Sequence, residues 1–188
     1  DKFKEIYPVY TPEEAIKIAK RKDAVLAGER TGRTIEGFEL GNSPGEMKEY
    51  SGEKDTLVLT TTNGVRALDN MESEIILIGS FINAKACAKA ACKLAREHIE
   101  IVMGGFKRTF AIEDFLAAGE ILFWIQKELD EQDKLNIDDI DYFKEETGIT
   151  EFAISAIMAS RDKEKVEKVS IKSKSGRRLA YLGYEDDV

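Results

Sequence analysis

The chain has 188 residues, enough for one compact domain burying about 70% of the surface it would expose unfolded, and 43% of the residues are hydrophobic, which excludes global disorder. With 28 Lys and Arg against 36 Asp and Glu, the formal net charge is −8, which excludes broad, sequence-blind binding to nucleic acid. No run approaches the roughly 18 apolar residues of a membrane helix, and the opening DKFKEIYPVY lacks an apolar signal core, so no membrane contact and a cytoplasmic location are expected.

Thr11-Pro12-Glu13-Glu14 reads as a complete helix start: a hydroxyl cap, Pro at the first helical position and Glu at the third. That helix is expected to run to about Lys22. Residues 24–27, 57–59, 75–78 and 99–103 are apolar throughout rather than alternating, the pattern of strands buried on both faces. Between them, Ser43-Pro44 predicts another helix start. Residues 83–97 carry six alanines that let a helix lie close on a sheet, and 112–129 place apolar residues at three- and four-residue spacing. Further helices are predicted over 136–147 and 151–159, and a late strand over 166–172. Strands alternating with helices imply right-handed crossovers, so the expected fold is a single three-layer α/β/α domain over 1–188 with a mostly parallel sheet. Cys87 and Cys92, five apart on a helix, point about 140° away from each other and form no redox pair.

In a parallel sheet the loops after the strand C-terminal ends share one edge, where helix N-termini also point and anions collect. Four such loops are polar and glycine-rich: GERTGRTIEGFELGNSP, TTTNG, GSFINA and GGFKRTFAIED. Thr60, Thr61, Thr62, Asn63 and Gly64 can cradle an oxyanion, or can be a β-branched strand ending in an Asn-Gly turn. Ser80 and Asn83 flank a helix start, where capping explains either. The adjacent Glu113 and Asp114 can hold a hard cation such as Mg²⁺, or can complement a helix dipole. Glu29 is a second carboxylate candidate. Arg30, Arg33, Arg66, Lys107 and Arg108 supply local positive charge suited to a compact anionic small molecule. No GxxxxGK[ST], GxGxxG or GxSxG occurs, and His98, the one histidine, falls at a predicted helix end. The cluster Lys172, Lys174, Arg177 and Arg178 reads as a solvated face.

Taken in order, GERTGRTIEGFELGNSP, LTTTNGVRAL, GSFINAKA, the Glu113-Asp114 pair and SGRRLAYLGYEDD resemble the 2-phosphosulfolactate phosphatases of coenzyme M biosynthesis, from about Lys4 onward. The resemblance implies a Mg²⁺-dependent phosphatase converting 2-phospho-3-sulfolactate to 3-sulfolactate and phosphate, with other phosphorylated 2-hydroxy acids, or anion binding without turnover, as alternatives. It also implies that a strand–helix segment with a DVLRAT-type motif and a C-terminal tail lie outside these residues. In this reading Glu29, Arg30, Asn63 and Asp114 act in catalysis, and Asn42, Ser43, Thr61, Thr62, Gly64, Ser80 and Asn83 bind substrate. Glu113, Asp114 and Glu29 hold Mg²⁺. Association of copies into a homo-oligomer is admitted by the size and class, without an identifiable interface.

Overall fold

The computed structural model describes residues 2–61, 64–106, 109–130 and 148–187. In chain order the elements are β1 (Glu5–Val9), α1 (Pro12–Lys22), β2 (Val25–Arg30), β3 (Arg33–Thr34), α2 (Pro44–Glu49), β4 (Thr56–Thr60) and α3 (Gly64–Asp69). They continue with α4 (Ala84–Leu94), α5 (Ile112–Asp130), α6 (Glu151–Ser160), α7 (Lys163–Lys172) and α8 (Lys174–Leu182). Two compact units result: Asp1–Met71 with Lys174–Val188, and Glu72–Ser173.

The first unit is built on a sheet of order β1-β4-β2-β3, parallel except for the short β3. Thr11 starts α1 as its pattern requires, its hydroxyl accepting from the Glu14 amide at 3.2 Å. The Glu14 carboxylate answers the Tyr10 amide at 3.3 Å, one residue earlier than the cap's own. Because side chains alternate across a strand, the continuous apolar runs feed two cores. Val58 and Leu26 face α1 through Ala15 and Ala19, whereas Val25, Ala27 and Leu57 face Met47 of α2, Leu40 and Tyr50. Helices therefore cover both faces, as the buried-strand pattern demands. The β2–β3 turn puts Thr31 at φ 58° and Gly32 at φ 80°, two left-handed residues in succession. At Thr31, a β-branched residue, this is backbone strain.

In the second unit α5 lies against α4 through Ala84, Ala88, Ile121 and Ile125, and against α6 so closely that a methyl group on Gly119 would run into the Ala156 carbonyl. Two predicted strands do not form here. Residues 75–78 and 99–103 pair with no strand among the described residues, and Ile78 is 67% exposed. An apolar run states a wish for burial; a strand also needs a neighbour for its amides and carbonyls. Residues 166–172 are helix rather than strand, since Asp162 accepts from the Lys165 amide at 3.1 Å and starts α7 with Val166 buried. A local cap outweighs the β-branched content. Of the basic cluster read as a solvated face, Lys172 ends α7 and Lys174, Arg177 and Arg178 lie on α8. The expected helix over 136–147 lies outside the described residues. Among those described, no helix is long and apolar enough to cross a membrane.

One charged group sits inside this helical unit. Glu120, its side chain 10% exposed, accepts from Arg161 at 2.5 Å, from Lys163, and from the Trp124 indole at 3.0 Å, while Arg161 also stacks on Phe123 at 3.7 Å. Burial opposes its charge, but the Lys163 and Trp124 hydrogen bonds and the two cations together hold the carboxyl below its ordinary range. A depressed carboxyl stabilises the fold above the unfolded value of about 4.3, and that contribution is lost as pH falls through the folded value. Glu120→Gln is expected to lose about 1–2 kcal/mol at pH 7 and to flatten the acid limb of a stability–pH curve, measured by urea unfolding.

Candidate active site

Parallel register places Val9, Thr60 and Gly28 abreast at the C-terminal ends of β1, β4 and β2. Gly28 is required there, because a Cβ would lie 2.5 Å from the Thr60 carbonyl oxygen. Thr60 is fully buried, and its hydroxyl is used in both directions, donating to the Tyr10 carbonyl at 3.1 Å and accepting from Arg30 at 2.9 Å. The Arg30 guanidinium also donates to the carbonyls of Tyr10 and Glu29, each at 2.7 Å. A guanidinium carries five N–H groups, so two of Arg30's remain for an anion. Glu29 is buried, and its carboxylate accepts from the Gly32 amide at 2.7 Å across the strained turn.

Thr61 and Gly64 flank Thr62 and Asn63, which lie outside the described residues, as do Lys107 and Arg108. Asn42 is exposed beside buried Ser43. The Ser43 hydroxyl caps α2 by accepting from the Glu46 amide at 3.2 Å, and it donates to the Asp187 carboxylate at 3.0 Å, which also takes the Gly45 amide at 3.4 Å. The Ser43 helix start, predicted to bind an anion, thus holds one from its own chain. A separate cavity of about 430 Å³ in this unit is lined by Glu39, Glu46 and Glu49 among others; three carboxylates repel an anionic substrate, and none of the predicted site residues lines it.

In the helical unit Ser80 and Asn83 are brought together. Asn83 Oδ1 accepts from the Ser80 amide at 2.7 Å and from its hydroxyl at 3.2 Å, while Nδ2 donates to the Ile78 carbonyl at 2.9 Å. Asn83 sits at the N-cap of α4, yet its side chain makes no capping bond there. Glu113 and Asp114 occupy the first turn of α5, as the motif suggested. Asp114 accepts from the Gly105 amide at 2.6 Å, tying the glycine loop to the helix, and the Phe106–Thr109 bridge closes that loop. Burial pushes the Asp114 carboxyl up, the Gly105 amide pulls it back, and the Glu113 charge pushes it up again; the result lies above the ordinary value.

Among the described residues no group of three His, Cys, Asp or Glu is close enough to hold a metal ion. Mg²⁺ asks for less than that, commonly one or two carboxylates plus waters and substrate phosphate, and the hard oxygen pair of Glu113 and Asp114 fits its chemistry. A desolvated carboxylate beside a second negative charge is a place that a cation would relieve. The sequence does not single out Tyr10, Asp69 or Asp187, which acquire partners only by folding, and it places Thr60 in the oxyanion cradle, whereas the Thr60 hydroxyl is taken up by the Tyr10 carbonyl and Arg30.

A mostly parallel α/β sheet whose strand ends gather an arginine, threonines and a glycine-rich turn defines a class of enzymes that bind small anions. The family described as 2-phosphosulpholactate phosphatase matches residues 1–188. Similar proteins include the 2-phosphosulfolactate phosphatase of Methanothermobacter thermautotrophicus, 41% identical over 188 residues, covering 100% of this chain and 72% of that protein. That of Methanocaldococcus jannaschii is 33% identical over 177 residues, covering 90% of this chain and 68% of that protein. A probable 2-phosphosulfolactate phosphatase of Clostridium acetobutylicum is 42% identical over 139 residues, covering 72% of this chain and 57% of that protein. The chain belongs to the 2-phosphosulfolactate phosphatase family, and with it to the phosphoric monoester hydrolases.

The raised Asp114 carboxyl carries a sign that can be measured. Stability associated with its neutral form is present below the unfolded value of about 3.9 and is lost as pH rises through the folded value. Asp114→Asn, which keeps an oxygen for the Gly105 amide, is expected to unfold at higher urea than the wild type at pH 7 and to converge with it at pH 3.

Proposed function

We propose that this chain hydrolyses 2-phospho-3-sulfolactate to 3-sulfolactate and inorganic phosphate with the help of Mg²⁺. The observation that carries the reading is the family match along the whole chain, residues 1–188, supported by the placement of the matched Gly28, Arg30 and Thr61 at one strand-end edge. The substrate carries phosphate, carboxylate and sulfonate on three carbons, so binding needs several donors rather than one strong one. Water adds to phosphorus, the phosphorus–oxygen bond to the lactate carbon's oxygen breaks, and that oxygen leaves protonated as the hydroxyl of sulfolactate.

Arg30 presents its two remaining N–H groups to the phosphoryl oxygens while its other three hold the strand ends in register. Thr61, Thr62, Asn63 and Gly64 orient the phosphoryl group, with Asn42 on another anionic group, while Ser80 and Asn83 keep the substrate-binding role that the resemblance implies. Ser43 holds Asp187 at the α2 start that it caps, and acts by ordering that segment and not by touching substrate. Glu113 and Asp114 would hold the metal, Glu29 keeping the role that the resemblance implies, and a bound divalent ion would supply neutralisation of phosphoryl charge. A cytoplasmic setting belongs to the same proposal.

Phosphate release from 2-phospho-3-sulfolactate, phospholactate, phosphoglycerate and p-nitrophenyl phosphate, each with Mg²⁺ and with chelator, tests the reading on the full-length protein. The expected result is highest kcat/KM on the sulfonated substrate, loss of activity with chelator, and a drop of about 100-fold or more in Glu113→Ala and Asp114→Ala. Tight binding of 2-phospho-3-sulfolactate, recovered intact in the presence of Mg²⁺, would replace the enzyme by an anion-binding protein. Full rates in both variants remove the two carboxylates from the mechanism.

A further inference from the structure

The motif SGRRLAYLGYEDD, residues 175–187, is docked on the stretch that carries Glu29, Arg30 and Ser43, and it touches that stretch at both ends. At the near end, α8 lays Arg178 and Leu182, one turn apart on a single helix face, against Gly32: a methyl group on Gly32 would run into Leu182 Cδ1 and stand 3.4 Å from Arg178 Nη2. At the far end, the Tyr184 phenol donates to Glu46 of α2 at 3.3 Å, and Asp187 accepts from the Ser43 hydroxyl at 3.0 Å. The corner between these contacts is closed by paired bonds, Tyr184 amide to Leu179 carbonyl at 2.9 Å and Gly183 amide to Ala180 carbonyl at 3.1 Å. The Thr31–Gly32 turn on which α8 rests joins β2 to β3, pairing Arg30 with Arg33, and its Gly32 amide is taken by the Glu29 carboxylate at 2.7 Å. With Thr31 at φ 58° the turn is strained, and strain of this kind persists only where the surroundings over-determine it. Glu29 restrains the turn from one side, and α8 from the other.

We propose that α8 is a clamp on the β2–β3 turn and that Leu182 is a positioning residue, keeping the turn in its strained form and thereby holding Arg30 where the phosphoryl group meets it. This rests on the reading of Arg30 as a phosphoryl-binding residue. Arg30 spends three of its N–H groups on the Tyr10 and Glu29 carbonyls and the Thr60 hydroxyl, so the aim of the remaining two follows the backbone at the end of β2. A turn that relaxes moves that backbone, and donors displaced by a fraction of an ångström meet the transition state less well. Leu182 does not touch substrate in this account.

Leu182→Ala, Leu182→Met and Tyr181→Ala, made in the full-length protein, separate positioning from general stability. Leu182→Ala is expected to lower kcat about tenfold on 2-phospho-3-sulfolactate with Mg²⁺ while changing KM less than about twofold. Leu182→Met refills the space against Gly32 and is expected to return kcat to within about twofold of wild type. Tyr181 is 88% exposed on the same helix, and its alanine variant is expected to keep the wild-type rate. Exchange of the Gly32 amide should accelerate about tenfold in Leu182→Ala, with exchange in β4 unchanged. In an Arg30→Lys background the Leu182→Ala loss should shrink to within about twofold, because the clamp acts through Arg30. Should Leu182→Ala fail to fold, Leu182→Val carries the same expectations at smaller amplitude. Wild-type kcat with unchanged Gly32 exchange overturns the proposal, as do an undiminished loss in the Arg30→Lys background and equal acceleration of Gly32 and β4. If the wild-type protein releases no phosphate, the substrate reading fails, and Gly32 exchange then decides the clamp alone: acceleration confined to the turn sustains it, and no change ends it.

Discussion

The buried hydroxyl of Thr60 and the guanidinium of Arg30 together close the C-terminal edge of the sheet, and the candidate site is arranged around that closure. A parallel sheet satisfies its amides and carbonyls along the ladder and runs out of partners where the strands stop. A carbonyl left buried there without a donor costs about 1–3 kcal/mol. Arg30 supplies charge-assisted donors to two of these carbonyls and to Thr60 at once, bonds of 2.7–2.9 Å. The positive charge that a phosphatase needs at this edge is thereby locked in one orientation by the fold's own requirements, and lysine, with a single ammonium at the end of a flexible stem, could not make the same set of bonds.

Helix α5 carries two carboxylates six residues apart with opposite surroundings. Glu120 is enclosed by Arg161, Lys163 and Trp124 and serves the packing of α5, α6 and α7. Asp114 is half-buried with one amide for company and a second carboxylate beside it. A carboxylate matched by cations is what stability alone produces. Asp114, at the start of the helix and next to a glycine loop, has no cation bonded to it among the described residues, so the two carboxylates of one helix meet opposite electrostatic surroundings.

What could be read from the sequence was whatever is decided locally. Thr11-Pro12-Glu13-Glu14 starts α1 and Ser43-Pro44 starts α2 because caps act within a single turn, and α4, α5 and α6 follow from spacing of apolar residues on one face. Strands depend on partners elsewhere, so 25–30 and 56–60 form where 75–78 and 99–103 do not. Residues 166–172 form helix and not strand because the Asp162 cap, three residues before Lys165, decides them locally. The same divide runs through the site. The residue types at Glu29, Arg30, Ser80, Asn83 and Asp114 were legible, whereas their partners were not: Arg30 reaches 20 and 30 residues along the chain, and Ser43 reaches Asp187 across 144.

That last separation has a consequence during biosynthesis. Residues 174–188 belong to the same compact unit as the first 71, while the helical unit is threaded between them. At roughly 5–20 residues per second on the ribosome, Ser43 emerges about seven to thirty seconds before Asp187 exists to meet it. For that interval the α2 start and the strained turn at Thr31 stand without α8, and a nascent sheet missing its closing segment is the form that a chaperone or protease would encounter first.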